Sequence, residues 1–341
     1  MHVAMYYNNN DVRYEEMPKP KIERGEILVK MMASGICGSD CMQWYRIKKA
    51  PLVLGHEVAG VVSEIAEGVD NFKTGDRVCI SHHVPCNCCR YCLNGYHTAC
   101  EMLRTTNFFP GGFSEFIRVP KVNVERGTLL LPDEVSFEEG TFIEPLGCVV
   151  RGQREAKLSP GQHVLILGAG ISGILHLLSA RASGCGRIIV TDIDKSRLKY
   201  AREFGADLAI NANEDISSRI KKDNGGRLCD LVIICTSAKA AFNQALKCVD
   251  RGATILCFAP TEPGVTLPLP VNDFWKNSIK ITHSYASSPL DSAIALELIQ
   301  RKVINVAKMI THRISLKDAG SGFKLVSEGK NSLKVIIEPA L

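Results

Sequence analysis

The chain has 341 residues, a length at which one hydrophobic core usually gives way to two, so two domains are expected. Its hydrophobic (45%) and charged (23%) fractions are those of a globular protein, and its net charge of +5 is spread without Lys/Arg blocks or interleaved aromatic residues, which argues against a nucleic-acid surface. Because no stretch reaches about 18 consecutive apolar residues and the start has no signal-peptide pattern, we expect a cytoplasmic protein with no membrane partner.

The first 150 residues predict an irregular, largely antiparallel β domain. Short β-branched runs, such as 26–30 (EILVK) and 58–65 (VAGVVSEI), are separated by turn-like stretches at 67–70 and 73–76. Such runs are typical of strands joined by short turns.

From residue 161 onward, short apolar runs alternate with helix-like segments. The apolar runs are HVLILGAG, RIIVTD, CDLVIICT and ATILCFA, each uninterrupted as a buried parallel strand would be, so a βαβ series and an α/β fold class are predicted. After residue 260 come a loop-rich segment, a helical pattern at 291–300 and the strand-like run KVIIEP. This last run has no partner helix, so we expect it to rejoin the first domain.

A glycine motif, GAGISG, ends the first of these apolar runs and opens a predicted helix. Gly168, Gly170 and Gly173 suit a tight turn, close approach of the backbone to a pyrophosphate, and close helix–strand packing, and the helix N-terminus adds partial positive charge. The motif alone is weak, but Asp192 stands 22 residues after Gly170 at the end of the next apolar run, where a carboxylate can bind the adenosine ribose. The alternative is a glycine-rich turn with Asp192 as a helix cap.

Asp192 also indicates which dinucleotide binds. Its negative charge would repel the 2′-phosphate of NADP, so NAD is the predicted cofactor. Arg197 is the nearest following arginine, and it can reach the ribose or lie solvated on the helix face.

Five of the fourteen cysteines lie within fifteen residues, and the expected reducing compartment argues against disulfides. Cys86, Cys89, Cys92 and Cys100 have the spacing of a closed shell of four thiolates, which predicts a structural zinc site. Cys88 can in principle replace Cys89, although Cys89 keeps the regular spacing. The alternative is a cluster of unrelated core or redox thiols.

A second set of metal-binding residue types is dispersed along the first domain. It comprises Cys37 in GICGSD, His56 and Glu57 in GHE, and Glu144 in EPL. One thiolate, one imidazole and carboxylates form the mixed, incomplete shell of a catalytic zinc, which leaves a position for substrate or water. Taken singly, each of these residues is equally well explained as a core or surface residue.

The motifs GICGSD, GHEVAGVV, GGFSEF, EPLGC, GAGISG and ITHR, together with the four-cysteine segment, resemble the zinc-containing medium-chain alcohol dehydrogenase family, particularly its sorbitol (polyol) and threonine dehydrogenase branch. The resemblance implies a GroES-like, mostly β catalytic domain at 1–147 with a structural-zinc lobe at about 86–100. It implies a Rossmann NAD-binding domain with a doubly wound parallel sheet at 148–283 and a return to the catalytic domain at 284–341. We also expect a homo-oligomer, either a dimer or a tetramer.

Carried over by position, the resemblance makes Cys37 and His56 ligands of a catalytic zinc and Glu57 a ligand as in the polyol branch. Glu144 occupies the position of the third protein ligand in other zinc alcohol dehydrogenases and of a carboxylate near the zinc in polyol enzymes. Either glutamate can therefore be the resting ligand, and the two can exchange during turnover.

Ser39 matches the hydroxyl that takes the substrate proton, and Asp40 matches the acid that orients the histidine ligand. The implied cofactors are NAD and two Zn²⁺ ions per chain, one catalytic and one structural. The implied reaction oxidises a secondary hydroxyl of a polyol, cyclitol or sugar-like alcohol to a ketone. Zinc favours ionisation of the alcohol, Ser39 removes the proton and NAD accepts a hydride.

Two departures from the polyol pattern argue against sorbitol itself. Gln43 replaces a pocket tyrosine, and Ser284 stands where polyol enzymes carry a substrate-binding arginine. The segment between Cys37 and His56 is also shorter than expected, which suits a longer or bulkier substrate. Three alternatives remain: threonine-dehydrogenase-like oxidation of an amino alcohol, a zinc-free reductase of the same superfamily, and a non-catalytic protein that binds zinc or nucleotide. The intact metal and proton-path residues disfavour the last two.

Overall fold

The computed structural model describes residues 1–329 and 332–339. They form two compact units, one made of Met1–Gly147 with Ala286–Leu341 and the other of Cys148–Tyr285. The return to the first unit thus begins two residues later than the predicted 284–341. Within the described ranges, no helix combines the length and apolar character that crossing a bilayer requires.

Strands build a sheet in each unit. Most run four to nine residues, and the longest in the first unit are the buried strands that carry the β-branched runs noted above. The strands are β1 (His2–Asn8), β2 (Asp11–Glu16), β3 (Ile27–Gly35), β4 (Leu52–Val53), β5 (Glu57–Ile65), β6 (Arg77–Ile80), β7 (Phe116–Val119), β8 (Thr128–Leu130), β9 (Val164–Leu167), β10 (Ile188–Asp192), β11 (Leu208–Asn211), β12 (Cys229–Ile234), β13 (Val249–Cys257), β14 (Lys280–His283), β15 (Ile310–Ser315) and β16 (Lys334–Glu338).

Several helices begin at side-chain caps that satisfy their first backbone N–H groups. Ser288 and Asp291 form a reciprocal capping box, and Asp194 and Asp215 each cap a helix of the second unit. The helices are α1 (Gln43–Arg46), α2 (Arg90–Leu93), α3 (Glu101–Thr105), α4 (Lys121–Gly127), α5 (Phe137–Gly140), α6 (Ile143–Glu155), α7 (Ile171–Ala182), α8 (Lys195–Glu203), α9 (Ile216–Asp223), α10 (Lys239–Cys248), α11 (Val271–Asn277), α12 (Pro289–Gln300) and α13 (Ala319–Glu328).

The first unit is built on a mostly antiparallel sheet in the order β15-β16-β3-β5-β6-β8, with β7 also paired to β3, and a smaller sheet β2-β1-β4. Its register pairs Gly35 at the end of β3 with Glu57 at the start of β5, and Ile336 of β16 with the same Gly35. The segments just after β3, just before β5 and at the start of β16 therefore lie together at the same end of these three neighbouring strands.

The second unit contains a six-stranded parallel sheet in the order β11-β10-β9-β12-β13-β14. Its inner strands are buried along their length, which explains their uninterrupted apolar sequences. The chain reverses its winding direction between β9 and β12, the arrangement of a doubly wound nucleotide-binding fold.

A buried polar contact joins α6 and α7 in the second unit. Gln153 Nε2 donates to His176 Nδ1 (3.2 Å) and to the His176 carbonyl oxygen (2.8 Å), while Ser179 Oγ donates to Gln153 Oε1 (2.8 Å). The His176 ring packs edge-on to Phe258, with centroids 4.5 Å apart. Burial lowers the pKa of His176 to about 3, so the imidazole is neutral in the folded protein.

Candidate functional site

Cys37, His56 and Glu57 lie close together where β3 ends and β5 begins. The ligand atoms of Cys37, His56 and Glu57 lie within 4.8 Å of one another. The sheet register produces this proximity, because Cys37 follows β3 by two residues and His56 immediately precedes β5. Glycine is required at Gly35, where a side chain would collide with the Glu57 carboxylate.

Cys37 begins a short 3-10 turn, Gly38–Cys41, that presents its sulfur to the site. The Ser39 amide donates to Cys37 Sγ (3.4 Å), and the Cys37 amide donates to Asp40 Oδ2 (3.1 Å). The side chains of Cys37 and Asp40 therefore both cap the turn. These two hydrogen bonds fix the position of the Cys37 sulfur.

Asp40 holds His56 from behind. The Asp40 side chain is fully buried, and its Oδ1 lies 3.3 Å from His56 Nδ1, a close contact that falls short of hydrogen-bond geometry. Burial raises the pKa of Asp40, but His56 and Arg46 outweigh burial and hold the pKa below its usual value. With Nδ1 directed at Asp40, the Nε2 atom of His56 is the one left for a metal.

The donor set fits a catalytic zinc. A soft thiolate, an imidazole and a carboxylate are the ligand types that zinc binds, and three protein ligands leave a fourth position for another molecule. These three residues would hold the ion.

Lys334 pairs with Glu57 at the same place. Its Nζ contacts Glu57 Oε2 and also lies 3.4 Å from the Ile36 carbonyl oxygen, and both side chains are 1% exposed. A buried ammonium is strongly unfavourable without such a partner. The Glu57 carboxylate therefore contacts Lys334 and also lies within 4.8 Å of the ligand atoms of Cys37 and His56.

Ser39 lies beside the three ligands. Its Oγ donates to Cys37 Sγ at 3.4 Å and accepts from Arg46 Nη2 at 3.3 Å. Because a guanidinium only donates, the Ser39 hydroxyl hydrogen must point away from Arg46.

Glu144 lies in the first turn of α6 and is not one of the three residues whose ligand atoms lie within 4.8 Å. Burial raises the pKa of Cys79 on β6 to about 12, and the charge of Glu144 adds to this effect. The choice between Glu57 and Glu144 as resting ligand stays a prediction, and Glu57 is the one that belongs to the group with Cys37 and His56.

Two histidines that the motifs did not identify also flank the site. The ring of His82 is 4.9 Å from that of His56, and the ring of His83 is 3.8 Å from that of His82. Burial, helped by repulsion from His56 and Arg46, lowers the pKa of His83 to about 4, and burial also lowers that of His82 well below normal. Adjacent histidines directly after a strand of the same sheet are the signal that was available in the sequence.

The four predicted structural ligands form a second group. The sulfurs of Cys86, Cys89, Cys92 and Cys100 lie within 4.8 Å of one another, whereas Cys88 is exposed and outside the group. Backbone N–H groups donate to Cys86 and Cys100 sulfurs at 3.2 and 3.3 Å, and donation from the backbone lowers the pKa of Cys86 to about 6. Four thiols held this way fit a closed tetrahedral zinc shell.

The glycine motif forms the turn between β9 and α7. Gly168 has a φ of +104°, a conformation that side chains disfavour, and a Cβ at Gly173 would collide with the Gly168 carbonyl oxygen. Gly170 is the N-cap of α7 in extended backbone, so the first N–H groups of the helix lie next to the turn. These features leave a backbone cradle that fits a pyrophosphate.

Asp192 ends β10 next to this turn. Its Oδ2 accepts from the Ala169 amide (2.8 Å) and its Oδ1 from the Asp194 amide (2.9 Å). Arg197 Nη1 lies 4.0 Å from Asp192 Oδ2, and a Cβ on Gly170 would lie 3.5 Å from the same nitrogen. Arg197 therefore turns toward the glycine turn rather than away along the helix face.

Of the two predicted specificity positions, Gln43 is exposed and accepts from the Asn9 amide through Oε1 at 3.4 Å. Ser284 follows β14 in the second unit, and its Oγ is buried without a hydrogen-bond partner among the described residues.

Comparison with known sequences matches both units. Residues 23–132 match the family described as alcohol dehydrogenase GroES-like domain, and residues 173–301 match that described as zinc-binding dehydrogenase. Sorbitol dehydrogenase of Mus musculus is 34% identical over 96% of this chain and 93% of its own length. Sorbitol dehydrogenase of Bacillus subtilis (strain 168) is 31% identical over 99% of this chain and 97% of its own length.

Solved structures of similar fold cover the chain almost completely. The alcohol dehydrogenase TADH from Thermus sp. ATN1 superposes with a TM-score of 0.89 at 26% identity, covering 99% of both chains. The 2R,3R-butanediol dehydrogenase from Bacillus subtilis superposes with a TM-score of 0.86 at 25% identity, again covering 99% of both. These matches confirm the predicted fold class, a GroES-like β domain with a Rossmann domain.

Proposed function

Since the chain belongs to the zinc-containing medium-chain alcohol dehydrogenases and is an oxidoreductase acting on CH–OH groups, we propose that it oxidises a secondary hydroxyl of a polyol, cyclitol or sugar-like alcohol to a ketone. The observation that carries this proposal is the group of Cys37, His56 and Glu57 with Ser39 beside it. The sorbitol dehydrogenases, the butanediol dehydrogenase and a probable D-xylulose reductase of Aspergillus fumigatus support an alcohol with more than one hydroxyl.

The chain's own residues prepare the site for this chemistry. Asp40 lies against the His56 ring, the 3-10 turn positions the Cys37 sulfur, and the sheet register positions Glu57. When bound, zinc supplies Lewis-acid chemistry that favours ionisation of an alcohol.

Ser39 is the proposed acceptor of the substrate proton. Its hydroxyl donates to the Cys37 sulfur and accepts from Arg46, which leaves one Oγ lone pair for the substrate proton. A hydroxyl so placed can accept the substrate proton while it releases its own proton to solvent water.

We propose NAD rather than NADP as the hydride acceptor. Asp192 is 8% exposed at the end of β10, where its negative charge opposes a 2′-phosphate. Arg197 nearby partly offsets that charge, so the preference for NAD should be finite rather than absolute.

The second zinc is proposed to be structural. Four thiols complete a tetrahedral shell and leave no open position, so this ion would stabilise the lobe and take no part in the reaction.

We further propose a cytoplasmic homo-oligomer. In the described part of the second unit β14 is an edge strand of its sheet, and α11, which precedes β14 in the chain and contacts β13, exposes Val271 (66%) and Trp275 (80%). An unpaired edge next to exposed apolar side chains suits pairing with a second copy. Light scattering with Trp275→Glu tests this: the variant should have a lower mass than the unmodified protein, and equal masses would contradict the proposed surface.

The catalytic proposal is tested by measuring oxidation of polyols, cyclitols, amino alcohols and sugar derivatives with NAD and with NADP, together with zinc per chain. We expect oxidation of a polyhydroxy compound, a preference for NAD and two zinc ions. Oxidation of amino alcohols alone would favour the threonine-dehydrogenase-like alternative. Zinc-loaded protein that binds NAD and oxidises none of these compounds would contradict the proposal.

A further inference from the structure

The segment between Cys37 and His56 is strongly cationic. Residues 41–56 contain Arg46, Lys48 and Lys49 and no aspartate or glutamate. The cations lie on α1 and on the 3-10 turn that follows it, Ile47–Lys49. Helix α1 in turn comes just after the 3-10 turn that carries Ser39. Positive charge is thus concentrated on one side of the candidate active site.

Arg46 is held at the edge of this site. Its Nε donates to the Ser39 carbonyl oxygen at 3.0 Å, its Nη2 donates to Ser39 Oγ at 3.3 Å, and the side chain is 16% exposed. The nearest carboxylate, Asp40, is 3.6 Å from Nη2 and is shared with His56. Nη1 makes no hydrogen bond within the described ranges, so two N–H groups of a fixed guanidinium stay available.

A second cation shares an aromatic ring with Arg46. The Arg46 Cζ is 4.6 Å and the Lys49 Nζ 5.8 Å from the centroid of Tyr45, whose side chain is 41% exposed. Among residues 1–329 and 332–339, neither Lys48 nor Lys49 has an ion-pair partner. Like charges brought close together repel one another, and Asp40 offsets only part of this charge because it also faces His56. An anion between Arg46 and Lys49 would relieve the remaining repulsion.

We propose that Arg46, with Lys49 beside Tyr45, binds an anionic group of the substrate, so that the enzyme acts on an alcohol bearing a carboxylate or a phosphate ester. This inference rests on the proposed function and names the substrate class for the same site. A guanidinium presents paired N–H groups that match the oxygens of either anion. Since Arg46 contacts Ser39, the anionic group is placed a few atoms from the hydroxyl that is oxidised.

The test compares neutral alcohols with their charged counterparts: sorbitol with sorbitol 6-phosphate and with D-gluconate, and xylitol with D-xylonate. We expect kcat/KM to be at least about 10-fold higher for one charged compound than for its neutral counterpart, as a charge-assisted hydrogen bond predicts. The phosphate and carboxylate arms identify which anion the site prefers. The preference should weaken as salt is added.

Variants locate the effect. Arg46→Met should reduce the charged-to-neutral ratio of kcat/KM by about 10-fold or more, and Lys49→Met, which touches neither Ser39 nor Asp40, should reduce it by a smaller factor. Lys308→Met removes an exposed cation of the same unit and should leave the ratio unchanged. An equal rate with charged and neutral compounds, or an unchanged ratio in both Arg46→Met and Lys49→Met, would overturn the inference.

Calorimetric titration of sorbitol 6-phosphate and of D-gluconate into the zinc-loaded enzyme without NAD separates this inference from the proposed function. Binding that weakens in Arg46→Met and in Lys49→Met supports the anion site even if no alcohol is oxidised, an outcome that would defeat only the catalytic proposal. Oxidation of neutral polyols with no such binding would overturn the anion site and leave the catalytic proposal standing.

Discussion

Lys334 at the start of β16 is ion-paired with Glu57 at the start of β5, and both side chains are buried beside Cys37 and His56. The lysine therefore neutralises a carboxylate that is also placed to bind zinc. In the absence of metal it is the partner that makes burial of the Glu57 charge tolerable.

We predict that Lys334→Met destabilises the zinc-depleted protein more than the zinc-loaded protein. Zinc-depleted protein should lose about 3–5 kcal/mol of unfolding free energy, because Glu57 is left buried and unpaired. Zinc-loaded protein should lose less, because the ion takes over the charge compensation, and the catalytic zinc should dissociate more slowly into a chelator. Denaturant unfolding and chelator kinetics measure both, with Lys308→Met as the control. Equal destabilisation of both states would contradict this account of the pair.

Cys92→Ser should remove one zinc ion per chain and lower the unfolding free energy without a direct effect on chemistry, because a closed four-thiolate site contributes to folding. Cys88→Ser is the matched control, since Cys88 is exposed and outside the group. Metal analysis should give two ions for the control and one for Cys92→Ser. Retention of both ions and of stability in Cys92→Ser would remove the structural assignment.

Asp192→Ala should narrow the preference for NAD over NADP, because it removes both a ribose acceptor and the charge that repels a 2′-phosphate. The ratio of kcat/KM values for the two cofactors is the quantity to compare. The control Asp215→Ala removes an aspartate of the same unit that caps α9, and it should leave the ratio unchanged. An unmodified enzyme that prefers NADP would show that Asp192 has another role.

His176 gives a prediction for stability against pH. Its pKa is about 3 when folded and about 6.5 when unfolded, so only the unfolded chain binds this proton between those values. Its contribution to stability is complete above pH about 6.5 and is lost as pH falls below it, by up to about 1.4 kcal/mol per unit. His176→Asn should therefore flatten the decline in unfolding free energy between pH 6 and pH 4, roughly the window those two values define. Replacing the exposed His283 by Asn should leave the decline unchanged. Parallel curves of unfolding free energy against pH for His176→Asn and the unmodified protein would show that His176 does not cause the decline.

Local spacing predicted those parts of the site that depend on short-range sequence. The glycine turn and the four thiols of the lobe are each assembled within a single stretch of chain, so their residue types and intervals were informative. The group of Cys37, His56 and Glu57 required the resemblance as well, because the proximity of these residues depends on the register of β3 against β5.

Contacts between distant segments were not predicted. Lys334 reaches Glu57 across 277 positions only because β16 pairs with β3, and no local pattern marks that register. The same is true of His82, which lies beside His56, and of Arg46, which donates to Ser39: no sequence pattern indicates either contact. From the sequence alone, a lysine in the last strand is interpreted as a surface charge, because its buried partner is not visible there.

The most direct test of the proposed active site is the rate of alcohol oxidation measured together with zinc content in Cys37→Ser and Ser39→Ala. Cys37→Ser should hold one zinc instead of two and lose nearly all turnover, because the catalytic shell is incomplete. Ser39→Ala should keep both ions and bind NAD yet turn over about 10²–10⁴-fold more slowly, because only the proton path is interrupted. Full turnover in Cys37→Ser with a single zinc would contradict the assignment of the site, and full turnover in Ser39→Ala would contradict the proton path.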